Sequence, residues 1–249
     1  MILGALLLAA PWLHAQTNPE WTTPIAPFHI GGNLYYVGGK DLASYLVVTP
    51  QGDILINSNF EGSVSMIRAS VEQLGFKFKD IKILLISHAH NDHDSGSAEL
   101  LRETGAKYMV MDGDVSVVES GGATDFAYAK NTYAPAKVDR ILHDGDAVKL
   151  GGTALIAHKT AGHTRGCTTW TMKVKEAGRP LNVVIVGSWN VNPGWRLVDR
   201  PEQPAGMLAK LDRIKAGANE AVWIDPEGYQ AAVAEREQAF QTELKRQEN

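Results

Sequence analysis

The hydrophobic pattern of the first half of the chain changes from β-type runs to a helical period. From Phe28 to Asn57, β-rich runs alternate with glycine turns, and Thr49–Gly52 has the composition of a hairpin turn. The next segment predicts a helix, with Gly75 as its stop signal and with apolar residues at helical spacing at Val64, Ile67, Val71 and Leu74. A β-meander followed by a helix is therefore expected.

The middle of the chain begins with a short apolar run, Ile81–Ile86, which is typical of a strand buried on both faces. The following pattern predicts a helix at Ser97–Thr104, a strand at Lys107–Met111 and a short helix at Asp114–Glu119. Helices between strands indicate α/β crossings in this part of the chain.

The second half repeats this order, from a β-meander into α/β crossings. Its predicted strands and hairpins lie at Val148–Lys159, Thr168–Val174, Val183–Val186 and Ala221–Ile224. Helices are expected at Met207–Ile214 and in a terminal segment that carries Val233 and Phe240. Two such halves packed face to face give one domain of class α/β, a sandwich of two mixed sheets with helices outside.

Composition narrows the function classes only slightly. The 249-residue chain has a net charge of −4, so no basic excess recommends a nucleic-acid partner. A small anionic substrate is still compatible, because a metal site supplies its own positive charge. The single cysteine, Cys167, cannot form an intramolecular disulfide. It lies near His163 and is a conceivable ligand, but we interpret it as a small buried hydrophobe.

The N-terminal segment indicates export. Residues 1–15 are apolar almost throughout and precede the polar stretch Gln16–Glu20. The run is too short to span a bilayer and ends in small residues, as secretory signal peptides do, although no Lys or Arg precedes it. We predict cleavage near Ala15, a mature domain of residues 16–249 without a membrane span, and a periplasmic or secreted location.

The segment from His88 to His93 carries the chemistry. Its sequence, HAHNDH, packs four potential metal ligands into six residues directly after a buried strand, where α/β folds gather functional groups. In an extended turn His88 and His90 point the same way, and Asp92 and His93 are then free to face a second metal. Imidazole and carboxylate ligands suit Zn²⁺. The segment therefore predicts a zinc site.

The sequence also resembles a known family. HAHNDHD matches the HxHxDH signature of the metallo-β-lactamase superfamily, and ESGGATDFAYA, VDRILHDGD, AGHTRGCTTWTM and NPGW look like the third subclass of metallo-β-lactamases. The similarity runs discontinuously from about Ile25 to the end. It implies a four-layer αβ/βα sandwich and an exported, monomeric enzyme with two Zn²⁺ ions. The implied reaction is hydrolysis of the β-lactam amide of penicillins, cephalosporins and carbapenems by a metal-bound hydroxide, which confers antibiotic resistance.

The resemblance also implies the zinc ligands. The first zinc would be held by His88, His90 and His163, and the second by Asp92, His93 and a late histidine. No histidine follows residue 163 in this chain. The missing ligand follows a late strand in the family, where this chain has Asp225 and Glu227. We predict Glu227, whose side chain is longer, and keep Asp225 as the alternative.

Further roles follow from this expected site and from the positions of the remaining residues. Asp92 would also be catalytic, because it orients the attacking hydroxide and receives its proton. The walls of the substrate groove would be Glu119–Tyr128 and Trp189–Trp195. Substrate-binding candidates are Arg165, Asn190 and Asn192. Of the remaining histidines, His143 is expected to be structural in a hairpin turn, and His158 to lie on the opposite strand face from His163.

Two other functions stay open at this point. One is a superfamily hydrolase that acts on a lactone or a thioester; the altered second-site ligand and Asn57, where relatives commonly carry Asp, both allow it. The other is a zinc-binding protein with weak activity. Retention of the other five ligands argues against the latter, because decay would not spare them selectively.

Overall fold

Seven strands form the first sheet of the computed structural model, which describes residues 18–188 and 226–248. In chain order they are β1 (Phe28–Gly31), β2 (Leu34–Tyr36), β3 (Tyr45–Val47), β4 (Asp53–Ile56), β5 (Ile81–Leu85), β6 (Lys107–Met111) and β7 (Arg140–Leu142). Strands β1 to β4 pair as an antiparallel meander, and β4 to β7 pair in parallel. The predicted turn at Thr49–Gly52 joins β3 to β4, with Gly52 at a φ of 112°.

The helices connect the parallel strands and continue the chain at its C-terminal end. They are α1 (Val64–Gln73), α2 (Asn91–Asp94), α3 (Ser97–Thr104), α4 (Val115–Glu119) and α5 (Pro226–Glu248). Helix α1 buries Val64, Ile67 and Val71, the predicted apolar face. Helix α3 has the predicted bounds and ends at Gly105, which adopts the left-handed conformation that glycine tolerates.

Strands β4 and β5 are buried on both faces, as the continuous apolar run predicted. Leu55 and Leu84 pack into a core under α1, α3 and α4. Ile54 and Ile83 point the other way, into a second core beneath the second sheet. These alternate directions follow from the period of two along a strand. Both faces of the first sheet therefore exclude water next to the candidate ligands.

The second sheet contains β8 (Ala147–Leu150), β9 (Thr153–Lys159), β10 (Thr168–Glu176) and β11 (Arg179–Ile185). Their order is β11-β10-β9-β8, and every described pairing is antiparallel. Strand β11 begins four residues before the predicted strand Val183–Val186. The predicted helix Met207–Ile214 and strand Ala221–Ile224 lie outside the described residues.

The two sheets pack face to face through one shared core. Leu155 and Trp170 of the second sheet contact the inward face of the first, and helices α1, α3 and α4 cover its outer face. This arrangement confirms the predicted α/β sandwich. Among the described helices, none combines the length and the apolar character needed to cross a bilayer.

Candidate metal centre

The His88–His93 segment begins three residues after the last residue of β5, at the carboxyl end of a parallel strand. Asn57, which directly follows the neighbouring β4, holds the chain in place where it leaves β5. Its side-chain oxygen accepts the backbone N–H of Ser87 at 2.7 Å, and its amide donates to the Ser87 hydroxyl at 3.0 Å. Asn57 has a φ of 69°, which asparagine tolerates better than most residues. The residue before His88 is thus held from both its backbone and its side chain.

Three histidines lie together at the carboxyl end of β5. His88, His90 and His163 are buried, and one possible ligand atom from each lies within 4.8 Å of the other two. Nδ1 of His90 lies 3.1 Å from Nε2 of His163. The rings of His88 and His163 meet edge to face, with centroids 4.4 Å apart. The predicted first-site residues therefore lie together, although two come from the first sheet and one from the second.

The donor set fits zinc. Two nitrogens bound to one tetrahedral Zn²⁺ at about 2.0–2.1 Å lie about 3.3 Å apart. The 3.1 Å separation between His90 and His163 is close to that edge. Neither ring nitrogen of His88 makes a well-formed hydrogen bond within the described part of the chain, although both are buried. A buried polar atom without a partner is costly, and a metal ion would satisfy one of these two nitrogens.

Burial also sets the protonation state that a ligand needs. Desolvation holds the pKa of His88 well below its ordinary value, and the neighbouring His93, His163 and His90 lower it further. Desolvation likewise lowers the pKa of His93, against the attraction of Asp92. Neutral imidazole is the metal-binding form. These histidines are therefore ready to accept a cation without first releasing a proton.

A second group shares His88 with the first. Possible ligand atoms of His88, Asp92 and His93 also lie within 4.8 Å of one another. Asp92 and His93 lie on α2, and Oδ2 of Asp92 is 3.7 Å from Nε2 of His93. The predicted third ligand, Glu227, is in the first turn of α5, and its side chain is outside the described part of the structure, as is Asp225. The two groups of possible metal ligands therefore overlap at His88.

Asp114 joins the two ligand loops. Its buried carboxylate accepts a hydrogen bond at 3.0 Å from the backbone N–H of Ala89, the residue between His88 and His90. It also accepts the Thr164 hydroxyl at 2.7 Å and the Gly166 N–H at 2.7 Å, both from the loop that carries His163. Burial raises the pKa of Asp114, and these three hydrogen bonds oppose the rise. One side chain therefore links the ligands of one sheet to the ligand of the other.

The predicted groove wall, Glu119–Tyr128, lies against the histidines. The ring of Tyr128 meets the ring of His90 edge to face, with centroids 5.0 Å apart. The Asp125 carboxylate is buried, and its Oδ2 lies 3.4 Å from Nε2 of His90. Although burial raises the pKa of Asp125, hydrogen bonds from His90 and from the Tyr128 and Ala127 backbone outweigh it, and the net pKa is lowered. This segment therefore contacts a candidate ligand directly.

The remaining predicted residues fall into two sets. Arg165 is exposed and lines a small pocket beside Asp114 and Asp125. The second set, Asn190, Asn192 and the rest of residues 189–195, lies outside the described residues.

Cys167 is fully buried, and burial raises the pKa of its thiol to about 12, which confirms its interpretation as a hydrophobe.

His143 and His158 stand apart from the two ligand groups. His143 lies in the turn between β7 and β8, where it is exposed. His158, on β9, hydrogen-bonds Thr171 of the neighbouring strand at 2.8 Å.

Sequence reasoning did not single out Asp114 or Asp125. Asp125 lies within ESGGATDFAYA, which is predicted only to form a groove wall, and the sequence pattern predicts that Asp114 begins a short helix. Asp114 does occupy the position that begins α4, but its side chain makes no capping hydrogen bond there. A carboxylate that hydrogen-bonds distant loops instead of its own helix produces no local pattern in the sequence.

Comparison with known proteins agrees with this geometry. The profile of the Metallo-beta-lactamase superfamily matches residues 29–176, more than half of the chain. The native FEZ-1 metallo-beta-lactamase of Legionella gormanii is 48% identical, with a TM-score of 0.83 over 92% of this chain and 98% of that one. The class B3 di-zinc metallo-beta-lactamase LRA-12, from an Alaskan soil metagenome, is 30% identical, with a TM-score of 0.81 over 92% and 97%.

Two curated relatives are more distant. A probable metallo-hydrolase of Burkholderia pseudomallei is 29% identical over 44% of this chain, and a hydroxyacylglutathione hydrolase of a Methylobacterium species is 27% identical over 62%. The match spans only 36% and 56% of their respective lengths. Taken with the two structures and the buried histidine groups, these matches lead to one conclusion: the chain belongs to the metallo-beta-lactamase superfamily, as a metal-binding hydrolase of the metallo-beta-lactamase type similar to the class B3 enzymes.

Proposed function

We propose that this protein hydrolyses the amide bond of β-lactams with two Zn²⁺ ions and thereby confers antibiotic resistance. The observation that carries the proposal is the pair of adjacent ligand groups that share His88. The similarity to a di-zinc class B3 enzyme over 92% of the chain supports the same ion and the same count. Penicillins, cephalosporins and carbapenems all contain the strained amide that such a site would attack.

Each part of the site has a separate task in this reaction. When bound, zinc lowers the pKa of a coordinated water to about 7 and polarises the substrate carbonyl. His88, His90 and His163 would hold one ion, each through one ring nitrogen. Asp92 is only partly buried, so its carboxylate is accessible to solvent and substrate. It orients the attacking water and receives its proton while the scissile amide opens.

An alternative substrate is a thioester or a lactone. The similarity to a hydroxyacylglutathione hydrolase supports it, although that match covers less of the chain and at lower identity than the metallo-beta-lactamases. The same activated water would attack either carbonyl, so the ligand groups alone do not discriminate between the substrates. A weakly active zinc-binding protein would use the same histidine groups, and what argues against it is the similarity to a metallo-beta-lactamase over 92% of the chain.

A hydrolysis panel separates these functions. Zinc-loaded protein would be assayed on a penicillin, a cephalosporin, a carbapenem, a lactone and a glutathione thioester under one set of conditions. We expect kcat/KM for at least one β-lactam to exceed that for the lactone and that for the thioester. Faster thioester hydrolysis would replace the proposal with its alternative. His163→Ala is the matched control, since it removes one predicted ligand of the first zinc. Every hydrolytic activity that depends on the zinc site should fall in this variant.

We infer that Glu227 closes the second zinc site. Because His88 is assigned to the first zinc, the second zinc needs a third protein ligand beside Asp92 and His93, and the chain has no histidine after residue 163. A carboxylate is a good zinc donor, and its charge reduces the net positive charge of the second site by one unit relative to imidazole. The second ion should therefore attract an anionic leaving group less strongly.

Zinc titration of three variants tests this ligand. Glu227→Gln should lose the second zinc while the first stays bound, and Glu227→His should bind the second zinc more tightly. Asp225→Asn is the matched control and should titrate like the parent protein. If Asp225→Asn loses the second metal and Glu227→Gln does not, then Asp225 is the ligand instead.

We also propose roles for three polar side chains in substrate binding. Arg165 is exposed two residues after His163, so its guanidinium is available to a substrate carboxylate. Asn190 and Asn192 are proposed for the same task. Arg165→Ala should raise KM for β-lactams with little change in kcat, and an unchanged KM would remove Arg165 from the substrate site.

Export as a monomer completes the proposal. The apolar residues 1–15 would be removed as a signal peptide, leaving residues 16–249 in the periplasm or the medium. N-terminal sequencing of the exported protein should start near Ala15 or Gln16, and an intact Met1 there would contradict cleavage. Sedimentation of the same sample should give a mass close to one chain.

A further inference from the structure

The two ring nitrogens of His90 face different partners. Nδ1 lies 3.1 Å from Nε2 of His163, inside the three-histidine group. Nε2, which is separated from Nδ1 by Cε1, lies 3.4 Å from Oδ2 of Asp125. Because neutral imidazole carries one N–H, only one of these nitrogens is available as a metal ligand. The partner at Nε2 therefore decides whether Nδ1 has a free lone pair.

Asp125 is fixed in the orientation that this contact needs. Its Oδ1 accepts the backbone N–H of Ala127 at 2.7 Å and that of Tyr128 at 2.5 Å. Its other oxygen, Oδ2, is buried and makes no well-formed hydrogen bond among the described residues, and Nε2 of His90 lies 3.4 Å from it. One oxygen thus secures the carboxylate to its own loop, and the other is directed at His90.

The same loop restrains the His90 ring from a second direction. Tyr128, three residues after Asp125, places its ring edge to face on His90, with an interplanar angle of 83°. The side chain of Asp125 is only 3% exposed, so the contact with His90 is shielded from water. Shielding strengthens a hydrogen bond to a charged acceptor.

We propose that Asp125 is a positioning residue, which accepts the Nε2–H of His90 and so leaves Nδ1 unprotonated and directed at the first metal. The inference rests on metal binding at the three-histidine group, and it does not depend on which substrate is hydrolysed. It gives the ESGGATDFAYA segment a role in metal binding besides that of a groove wall. Carboxylates that orient a ligand histidine typically improve metal affinity by about 10–100-fold.

Asp125→Asn is the sharpest test. The asparagine oxygen can still accept the two loop N–H groups, so the turn is retained. Its amide, however, presents N–H to Nε2 of His90 and favours the tautomer with the proton on Nδ1, toward the metal. We expect the dissociation constant of the first zinc, measured by competition with a chelator, to rise by about 10–100-fold. The d–d spectrum of the cobalt-substituted protein should change as well.

The control and a second readout separate positioning from a structural role. Asp139 also accepts a backbone N–H, from Tyr108 at 3.0 Å, but contacts no histidine of the group, so Asp139→Asn should leave zinc affinity unchanged. Long-range ¹H–¹⁵N spectra of the metal-free protein at pH 8 should show His90 protonated on Nε2 in the parent and on Nδ1 in Asp125→Asn. Zinc affinity and a His90 tautomer that both match the parent in Asp125→Asn would overturn the proposal, whatever the activity on β-lactams.

Discussion

Asp53 is a buried carboxylate at the start of β4, away from the metal centre. Its environment raises its pKa to about 6, mainly through desolvation and with a contribution from Asp80, while the Thr49 N–H and Lys82 oppose the shift. The folded-state pKa is above the unfolded value of about 3.9, so the folded state binds the extra proton. The stability that this proton contributes is fully present below about pH 4 and is lost as the pH rises through about 6.

Asp53→Asn should therefore stabilise the protein at neutral pH but not in acid. Asparagine keeps an oxygen for the Thr49 N–H, which Asp53 accepts at 3.3 Å, and it has no charge to desolvate. We expect the free energy of unfolding to rise by about 1–2 kcal/mol at pH 7.5 and to change little at pH 4. Urea unfolding of the chelator-treated protein at both pH values measures this. A difference between variant and parent that does not depend on pH would contradict the assignment.

At the level of single residues, the clustering of the candidate histidines and Asp92 was predictable, and the residues that support them were not. His88, His90, Asp92 and His93 are close in sequence and follow a recognisable strand, and the structure brings them together with His163. Asp114 hydrogen-bonds Ala89, which is 25 residues away in sequence, and Thr164, which is 50 residues away. Asp125 contacts His90, which precedes it by 35 residues. Such long-range contacts leave no period in the sequence.

The 3-10 turn Asp112–Asp114 determines how closely the first sheet approaches the loop that carries His163. A Cβ atom added to Gly113 would lie 2.4 Å from the carbonyl oxygen of Arg165 and 2.5 Å from its carbonyl carbon. These neighbours are backbone atoms, which cannot rotate away as a flexible side chain can. Turn and loop are thus in direct backbone contact, without room for a methyl group.

Gly113→Ala should separate the two loops and weaken the first metal site. We expect a loss of about 1–3 kcal/mol of stability, the usual cost of overpacking, together with weaker zinc binding, because His163 moves relative to His90. Gly62→Ala is the matched control, since Gly62 is exposed and its added Cβ would meet nothing within 4 Å. Thermal unfolding and chelator competition measure both effects. Equal behaviour of the two variants would show that the close contact does not matter.

At the level of elements, buried and strongly periodic segments were predicted with accurate bounds. Helix α3 and strand β6 have the expected limits, and α1 buries the expected face. Strand β11 begins earlier than predicted, because its first residues, such as Arg179 and Pro180, are exposed and pair with β10 without a hydrophobic pattern. Backbone pairing to a neighbouring strand extended this element beyond the part that the side chains indicate.

The metal centre is a property of the whole molecule. His88, His90, Asp92 and His93 follow β5 of the first sheet, whereas His163 lies between β9 and β10 of the second. The shared core with Trp170 and Leu155 sets the distance between the sheets, and Asp114 joins the two loops above it. The fold class followed from the repeated order of strands and helices, but the distance between the halves depends on packing that the sequence pattern does not specify.

Zinc titration of the metal-free protein, with β-lactam hydrolysis recorded at each addition, tests the central claim most directly. The account predicts no hydrolysis in chelator, recovery as zinc fills the two groups around His88, and loss of the first zinc equivalent together with most activity in His163→Ala. Hydrolysis that persists in chelator, or a His163→Ala variant that binds zinc and turns over β-lactam like the parent, would contradict it.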